Sequence, residues 1–355
     1  SRHWFRVLSF EFQISICESD FFSFQIKETV SVKGRQMELQ PLGSSKIKIS
    51  PIVMGTWQAG KEMWVGIDDS ESIAAIRAAY DAGITTFDTA EAYGNGHSER
   101  ILAKALSDVR DRVVYATKVF ANHLRYDQVI KACERSLKNL ATDIIDLYQI
   151  HWPSGSFNTP KVPIEETMRA LNELKVQGKI RAIGVSNFSR QQLEEVAGYG
   201  EIVSLQPPYS LFWRQLETDA MPYCVENDVT ILAYSPMAQG LLTGKFTPEH
   251  RFAPGDHRTK NRLFEGENYR RVQAALDKLR LIAAKHDCTP GQLALAWVIS
   301  HPNTCAIAGA RNAIQAAQIS ASAKVKLSAE DLKQMDTIGR SVTDQLDDNP
   351  VMWKF

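Results

Sequence analysis

Between residues 49 and 321 one pattern recurs eight times: a short apolar run, then a stretch with apolar side chains at helical spacing. ISPIVMG precedes DDSESIAAIRAAYDAG, TTFDTA precedes HSERILAKALSD, and VVYATKV precedes RYDQVIKACERSLKNLA. IIDLYQIH leads to PIEETMRALNELKVQGK, KIRAIGVS to SRQQLEEVAGYG, and IVSLQPPYS to ETDAMPYCVEND. VTILAYSPM leads, after a long insertion, to YRRVQAALDKLRLIAAKH, and TCAIAGA to RNAIQAAQISA. Strands that alternate with helices pair in parallel, and eight such units match a closed (β/α)8 TIM barrel. A doubly wound sheet would use five or six strands and a nucleotide-binding first turn. The nearest match to that turn, Gly94-Asn95-Gly96, carries Glu99 where the third glycine belongs and so speaks against a dinucleotide fingerprint.

The surroundings of the eight units are equally readable. MELQPLGSSKIKIS predicts an N-terminal β-hairpin around Gly43-Ser44-Ser45. TPGQLALAWVISHP and SAEDLKQMDTIGR predict two extra helices. Residues 1–36 are aromatic-rich and aperiodic, with neither the order of a secretory signal nor the composition of a transit peptide. Met37 opens the patterned region. The expectation is a non-native or disordered extension over 1–36 and one barrel domain over 37–355.

Composition excludes several functions. Lys plus Arg equals Asp plus Glu at 41 each, and no basic run stands out, so neither nucleic acid nor an anionic membrane is an expected partner. No apolar run approaches the ~18 residues of a membrane-spanning helix. The 5 cysteines are scattered without a CxxC pair, which predicts neither a disulfide framework nor a metal site, and a reducing, cytoplasmic setting.

Four polar residues fall where strands give way to loops. They are Asp88 and Tyr93 in TTFDTAEAYGNG, Lys118 in VVYATKV and His151 in IIDLYQIHWP. In a parallel barrel, successive strand ends ring one mouth, so these side chains can converge. Lys118 resists a structural explanation most, because an ammonium inside an apolar run is costly without a partner. Asp88 would supply that partner. The Lys118 charge would lower the pKa of Tyr93 from its usual value of about 10. His151 would orient a carbonyl oxygen, and Tyr93 would protonate the alkoxide as a general acid. No side chain donates hydride, so a nicotinamide cofactor is implied.

FDTAEAYG, ATK, QIHWP, GVSNF, YSPMAQGLLTGK and AGARN stand in this order along the chain. Together they resemble the aldo-keto reductases, especially the bacterial and plant branch related to potassium-channel β subunits. The resemblance implies a (β/α)8 barrel and NADPH-dependent reduction of aldehydes or ketones, with Asp88, Tyr93, Lys118 and His151 as the catalytic set. It also implies NADP(H) contacts. Gly55, Thr56 and Trp57 would face the nicotinamide, Ser186, Asn187 and Gln206 its carboxamide, and Tyr209 would stack on the ring. Tyr234, Ser235, Pro236, Met237, Gly240 and Leu241 would follow the pyrophosphate. Lys245, Gly309, Arg311 and Gln315 would hold the adenosine phosphate. Relatives often place Asn or Glu eight residues after that arginine; here the residue is Ile319, so adenine contacts are expected to be weaker or rearranged.

Residues 239–268, rich in Gly, Pro, Arg and Lys, read as a structureless lid over an anionic cofactor. Trp57, Trp64, Trp152, Phe212, Trp213 and Trp353 are candidate linings of an apolar or aromatic carbonyl pocket. The competing function is a cofactor-binding regulatory or redox-sensing subunit. His151 weighs against it, because the channel β subunits carry asparagine at this position. A metal-dependent barrel hydrolase would need several histidines and aspartates at strand ends, and only one such histidine is present.

Overall fold

The computed structural model describes residues 37–346 apart from Met63 and Pro248. The 1–36 segment and Trp353 therefore lie outside the described residues. Strands β1 (Gln40–Pro41) and β2 (Lys48–Ile49) pair antiparallel as the expected hairpin. Their turn lies against the N-terminal ends of later strands, where the Gly43 N–H donates to Thr230 Oγ1 at 2.7 Å. Gly43 has φ +54, and a Cβ there would meet the Val203 carbonyl oxygen at 2.3 Å, so only glycine fits. Leu42 and Ile49 are thereby buried with Val53, Leu147, Leu232 and Cys305. The hairpin closes the floor and leaves function to the opposite mouth.

Eight parallel strands form the barrel: β3 (Ile52–Gly55), β4 (Thr86–Asp88), β5 (Val114–Val119), β6 (Ile145–Ile150), β7 (Ile180–Ser186), β8 (Ser204–Gln206), β9 (Thr230–Ala233) and β10 (Thr304–Gly309). They pair in sequence order, and β10 closes against β3 with Ile307 opposite Val53. Side chains on one strand face alternate. Val53, Ala116, Leu147, Ala182, Leu232, Cys305 and Ile307 therefore fill the interior.

Helices α1 (Asp69–Asp81), α2 (His97–Leu106), α3 (Tyr126–Asn139), α4 (Ile164–Val176), α5 (Arg190–Ala197), α6 (Ala220–Glu226) and α7 (Gly266–Lys285) follow the first seven barrel strands. After α8 (Pro290–Ile299) comes β10, then α9 (Ala313–Ala321) and α10 (Ala329–Thr343). Helices α8 and α10 are the two expected extras. Their starts are chemically marked: Thr289 and Gln292 form a capping box before α8, and Ser328 and Asp331 form one before α10. Each fully buried side chain, such as Ile76, Leu102 or Leu171, contributes roughly 1.5–3 kcal/mol. No helix among the described residues is long and apolar enough to cross a membrane.

One stretch differs from expectation. Residues 239–268 are not structureless: 3-10 turns cover Ala238–Thr243, His257–Lys260 and Arg262–Phe264, and α7 begins at Gly266. Phe252 packs against Phe246 and Phe264 with centroids 5.3 and 4.7 Å apart. These irregularly spaced aromatics give the segment a small core of its own, which a periodicity reading does not detect.

Candidate active site

A cavity of about 780 Å³ opens at the C-terminal ends of the strands, within the range of small-molecule sites. Asp88 ends β4, Tyr93 follows in the next loop, Lys118 lies near the end of β5, and His151 follows β6. Barrel closure brings all four to one place. Lys118 Nζ donates to Asp88 Oδ1 at 2.6 Å, to the Thr89 carbonyl at 2.7 Å and to Tyr93 Oη at 3.4 Å. Lys118 is wholly buried, behind the cavity wall, whereas Asp88, Tyr93 and His151 line it. The ammonium also lies 5.0 Å from the centre of the Tyr93 ring.

The electrostatics follow from this burial. Desolvation pushes the Tyr93 phenol well above its ordinary value, and the Asp88 carboxylate adds to the effect. This corrects the sequence expectation of a lowered value: desolvation sets the direction, and the phenol stays protonated. Desolvation also lowers the Lys118 value, opposed by Asp88. His151 is held well below 6.5 by desolvation and then by Lys118, so its imidazole is neutral at neutral pH. Its Nδ1 is buried with no hydrogen-bond partner. A buried N–H without an acceptor is costly, so the single ring proton belongs on Nε2, facing the cavity.

Aromatic rings wall the space around Tyr93. Trp57 meets Trp64 edge-on at 5.3 Å, His151 meets Tyr93 at 5.6 Å, and Phe120 lies between His151 and Phe157 at 5.5 and 5.6 Å. Trp152 and Phe157 meet edge-on at 5.1 Å. The loop bearing Tyr93 is tied to that bearing Phe120, because Glu91 Oε1 accepts from the Phe120 N–H at 2.9 Å.

Most expected cofactor positions line the same cavity: Gly55, Thr56, Trp57, Ser186, Asn187, Gln206, Tyr234, Ser235, Pro236, Met237, Gly240, Lys245, Gly309, Arg311 and Gln315. Ser186 Oγ donates to the Gln206 carbonyl at 2.7 Å, and Asn187 Nδ2 donates to the His151 carbonyl at 3.1 Å. Tyr209 is elsewhere. It is wholly buried, with its hydroxyl donating to Glu217 at 2.9 Å and its ring 5.3 Å from Trp297. Beside Tyr93, the cavity wall holds Tyr234, whose hydroxyl donates to Asn187 Oδ1 at 2.8 Å. Leu241, Phe212 and Trp213 are likewise buried away from the wall. Ile319 does line it, as an apolar residue.

The far end of the cavity is cationic. Desolvation lowers the Lys245 value and neighbouring Arg258 and Arg311 lower it further; Arg311 is lowered by desolvation and by Arg258. Arg258 pairs with Asp256 at 2.5 Å, while neither Lys245 nor Arg311 has an ion-pair partner among the described residues. The Gln315 side chain accepts from the Arg311 N–H at 2.9 Å and holds that residue at the start of α9. Ser235 and Gln239 have φ of 54 and 56 and Gly240 has φ of 95, so the chain turns sharply where this loop lines the cavity. A Cβ on Gly309 would sit 2.5 Å from Gln58 Oε1, leaving bare backbone as the wall. Two cations without an ion-pair partner among the described residues, beside a sharply turned loop, fit the phosphates of a dinucleotide.

Sequence reading missed Gln58, Phe120, Phe157 and Arg258 on the wall and Gln149 beneath it. Only Gln149 carried a signal, as a polar residue inside the apolar run IIDLYQI.

The sequence profile of the aldo/keto reductase family matches residues 51–340. The chain is 40% identical over 314 residues to an aldo-keto reductase of Bacillus subtilis, covering 85% of this chain and 93% of that one. It is 34% identical over 322 residues to the NADH-specific methylglyoxal reductase of Escherichia coli, covering 84% and 97%. Among solved structures, the glycerol dehydrogenase of Gluconobacter oxydans superposes with a TM-score of 0.80 at 34% identity, covering 88% of this chain and 98% of that one. An aldo-keto reductase of Klebsiella pneumoniae in complex with NADPH gives a TM-score of 0.69 at 28% identity, covering 88% and 97%.

Proposed function

The chain belongs to the aldo/keto reductase family, and from that premise we propose that it reduces aldehydes or ketones to alcohols with NADPH, Tyr93 delivering the proton. The observation that carries the reading is the Tyr93 hydroxyl 3.4 Å from the buried Lys118 amine, at a cavity that His151 also lines. When bound, reduced nicotinamide supplies hydride. Ser186, Asn187 and Gln206 would hold its carboxamide end, and the 235–240 loop its pyrophosphate. Lys245 and Arg311 would hold the 2′-phosphate, since three cations there, with Arg258, face the single carboxylate of Asp256 and favour a dianion.

The remaining chemistry belongs to the side chains. His151 Nε2–H donates to the carbonyl oxygen and fixes its direction. Tyr93 Oη gives its proton to that oxygen as negative charge develops. Lys118 stabilises the phenolate left behind, and Asp88 keeps Lys118 in place. Trp57, Phe120 and Trp152 exclude water and favour flat, apolar carbonyl compounds.

The test follows NADPH absorbance at ~340 nm with a reactive aromatic aldehyde, comparing wild type with Tyr93→Phe. Loss of a proton donor costs roughly 10²–10⁴-fold in turnover, with NADPH binding retained. Tight NADPH binding without turnover across aldehydes and ketones would refute the reductase reading and favour a redox-sensing or regulatory role.

A further inference from the structure

Gln149 lies one step deeper than the cavity wall, and nothing above gives it a role. It sits on β6 opposite Lys118 in the strand register. Its side chain is wholly buried and points into the barrel between two proposed site residues. Asp88, Gln149 and Gln206 come from alternate strands β4, β6 and β8, as the members of one barrel layer do. Beneath them the interior is apolar, with Ala116, Leu147, Ala182 and Leu232. This is therefore a polar layer placed on a hydrophobic plug. Room for the Gln149 stem comes from Gly184, where a Cβ would lie 3.1 Å from Gln149 Cγ.

The hydrogen bonds within the layer have one consistent direction. Asp88 Oδ1 is taken by Lys118, and Oδ2 accepts from Gln206 Nε2 at 2.9 Å and Gln149 Nε2 at 3.3 Å. A carboxylate paired with an ammonium only accepts, so both amides must turn their NH₂ groups towards it. Gln206 Nε2 spends its second hydrogen on Gln149 Oε1 at 3.4 Å. Both N–H groups of Gln206 are then engaged below the cavity. Its Oε1 accepts no hydrogen bond among the described residues, and Gln206 lines the cavity. The side chain therefore offers a ligand an acceptor and no donor.

We infer that Gln149 is a positioning residue: by accepting from Gln206 and donating to Asp88, it locks the Gln206 amide with its oxygen towards the cofactor carboxamide. The inference rests on the reductase reading, because that carboxamide is the group whose N–H the oxygen would receive. Without Gln149, one buried N–H of Gln206 loses its partner. The amide is then held by its bond to Asp88 alone, and its oxygen is free to swing about that bond away from the carboxamide.

The experiment compares binding of NADP⁺ with binding of the analogue carrying 3-acetylpyridine in place of nicotinamide, which keeps the carbonyl but lacks the N–H. Quenching of tryptophan fluorescence gives both dissociation constants without turnover. Wild type should prefer NADP⁺ by about tenfold, the usual scale for a lost hydrogen bond. In Gln149→Met the preference should shrink to within about threefold through weaker NADP⁺ binding. Gln149→Asn, whose amide is withdrawn by one methylene, should show the same loss if the methionine variant does not fold. Gln149→Glu retains an acceptor for Gln206 and, sharing a proton with Asp88, a donor as well; it should keep the preference. An unchanged preference in the Met and Asn variants overturns the role of Gln149, as does equal loss in all three. Failure of the wild type to bind either dinucleotide instead overturns the reductase reading itself.

Discussion

Removing the Lys118 ammonium while leaving Asp88 strands a charge inside the barrel. The two groups lie 2.6 Å apart, and the Lys118 and Asp88 side chains are 0% and 4% exposed. At an effective dielectric of about 20 the attraction at that separation is roughly 6 kcal/mol. Part of that offsets the desolvation that lowers the Lys118 value. Breaking a buried pair from one side costs about 3–5 kcal/mol, because the remaining charge stays buried. Lys118→Met should therefore destabilise the fold by about that much at pH 7, even though its side chain fills much of the same volume. Adding Asp88→Asn removes the stranded charge, and the double variant should lose only about 1–2 kcal/mol.

Urea unfolding followed by tryptophan fluorescence reads the order directly: the midpoint of the double variant lies above that of Lys118→Met. Both variants should lose carbonyl reduction by roughly 10²–10³-fold, since Tyr93 loses the cation that stabilises its phenolate. Equal midpoints for single and double variants at pH 7 would show that the pair does not balance a buried charge, and would refute the reasoning.

Two further predictions concern the free site and its cationic end. Burial holds Tyr93 above 10 and His151 below 6.5, so kcat/KM for reduction should stay flat across that interval; a bell centred near pH 7 would contradict both assignments. The depressed His151 value also means that its contribution to stability is fully present above pH 6.5 and is lost as pH falls through the folded-state value, because the unfolded chain takes up the proton first. Arg311→Met and Lys245→Met should each weaken NADPH by about tenfold and leave NADH nearly unchanged in fluorescence titrations. Equal loss for both cofactors would remove the 2′-phosphate from that corner.

The units and their ends were legible because they are local. Alternating apolar runs and helical spacing define eight β–α repeats, and Gly43 marks the turn of the hairpin that precedes them. Parallel pairing then leaves one way to place the strand ends, so Asp88, Lys118 and His151 were assignable to a common mouth without coordinates. The two added helices and the hairpin were readable for the same reason, from caps and turns a few residues long.

What the chain does not display along its length is which of several similar side chains faces inwards. Tyr209 and Tyr234 both follow barrel strands, yet one packs against Trp297 and the other lines the cavity. Phe246, Phe252 and Phe264 anchor the 239–268 segment at spacings that match no period. Gln149 gains meaning only when Asp88 and Gln206, 61 and 57 residues away, close around it. The direction of the Tyr93 shift likewise depends on how much water the folded wall excludes. Residue type and local spacing determined the barrel and the chemistry available at its mouth, because they act between near neighbours. Hydrogen-bond direction, desolvation and the shape of the wall were decided by tertiary structure, because each depends on atoms that only folding brings into contact.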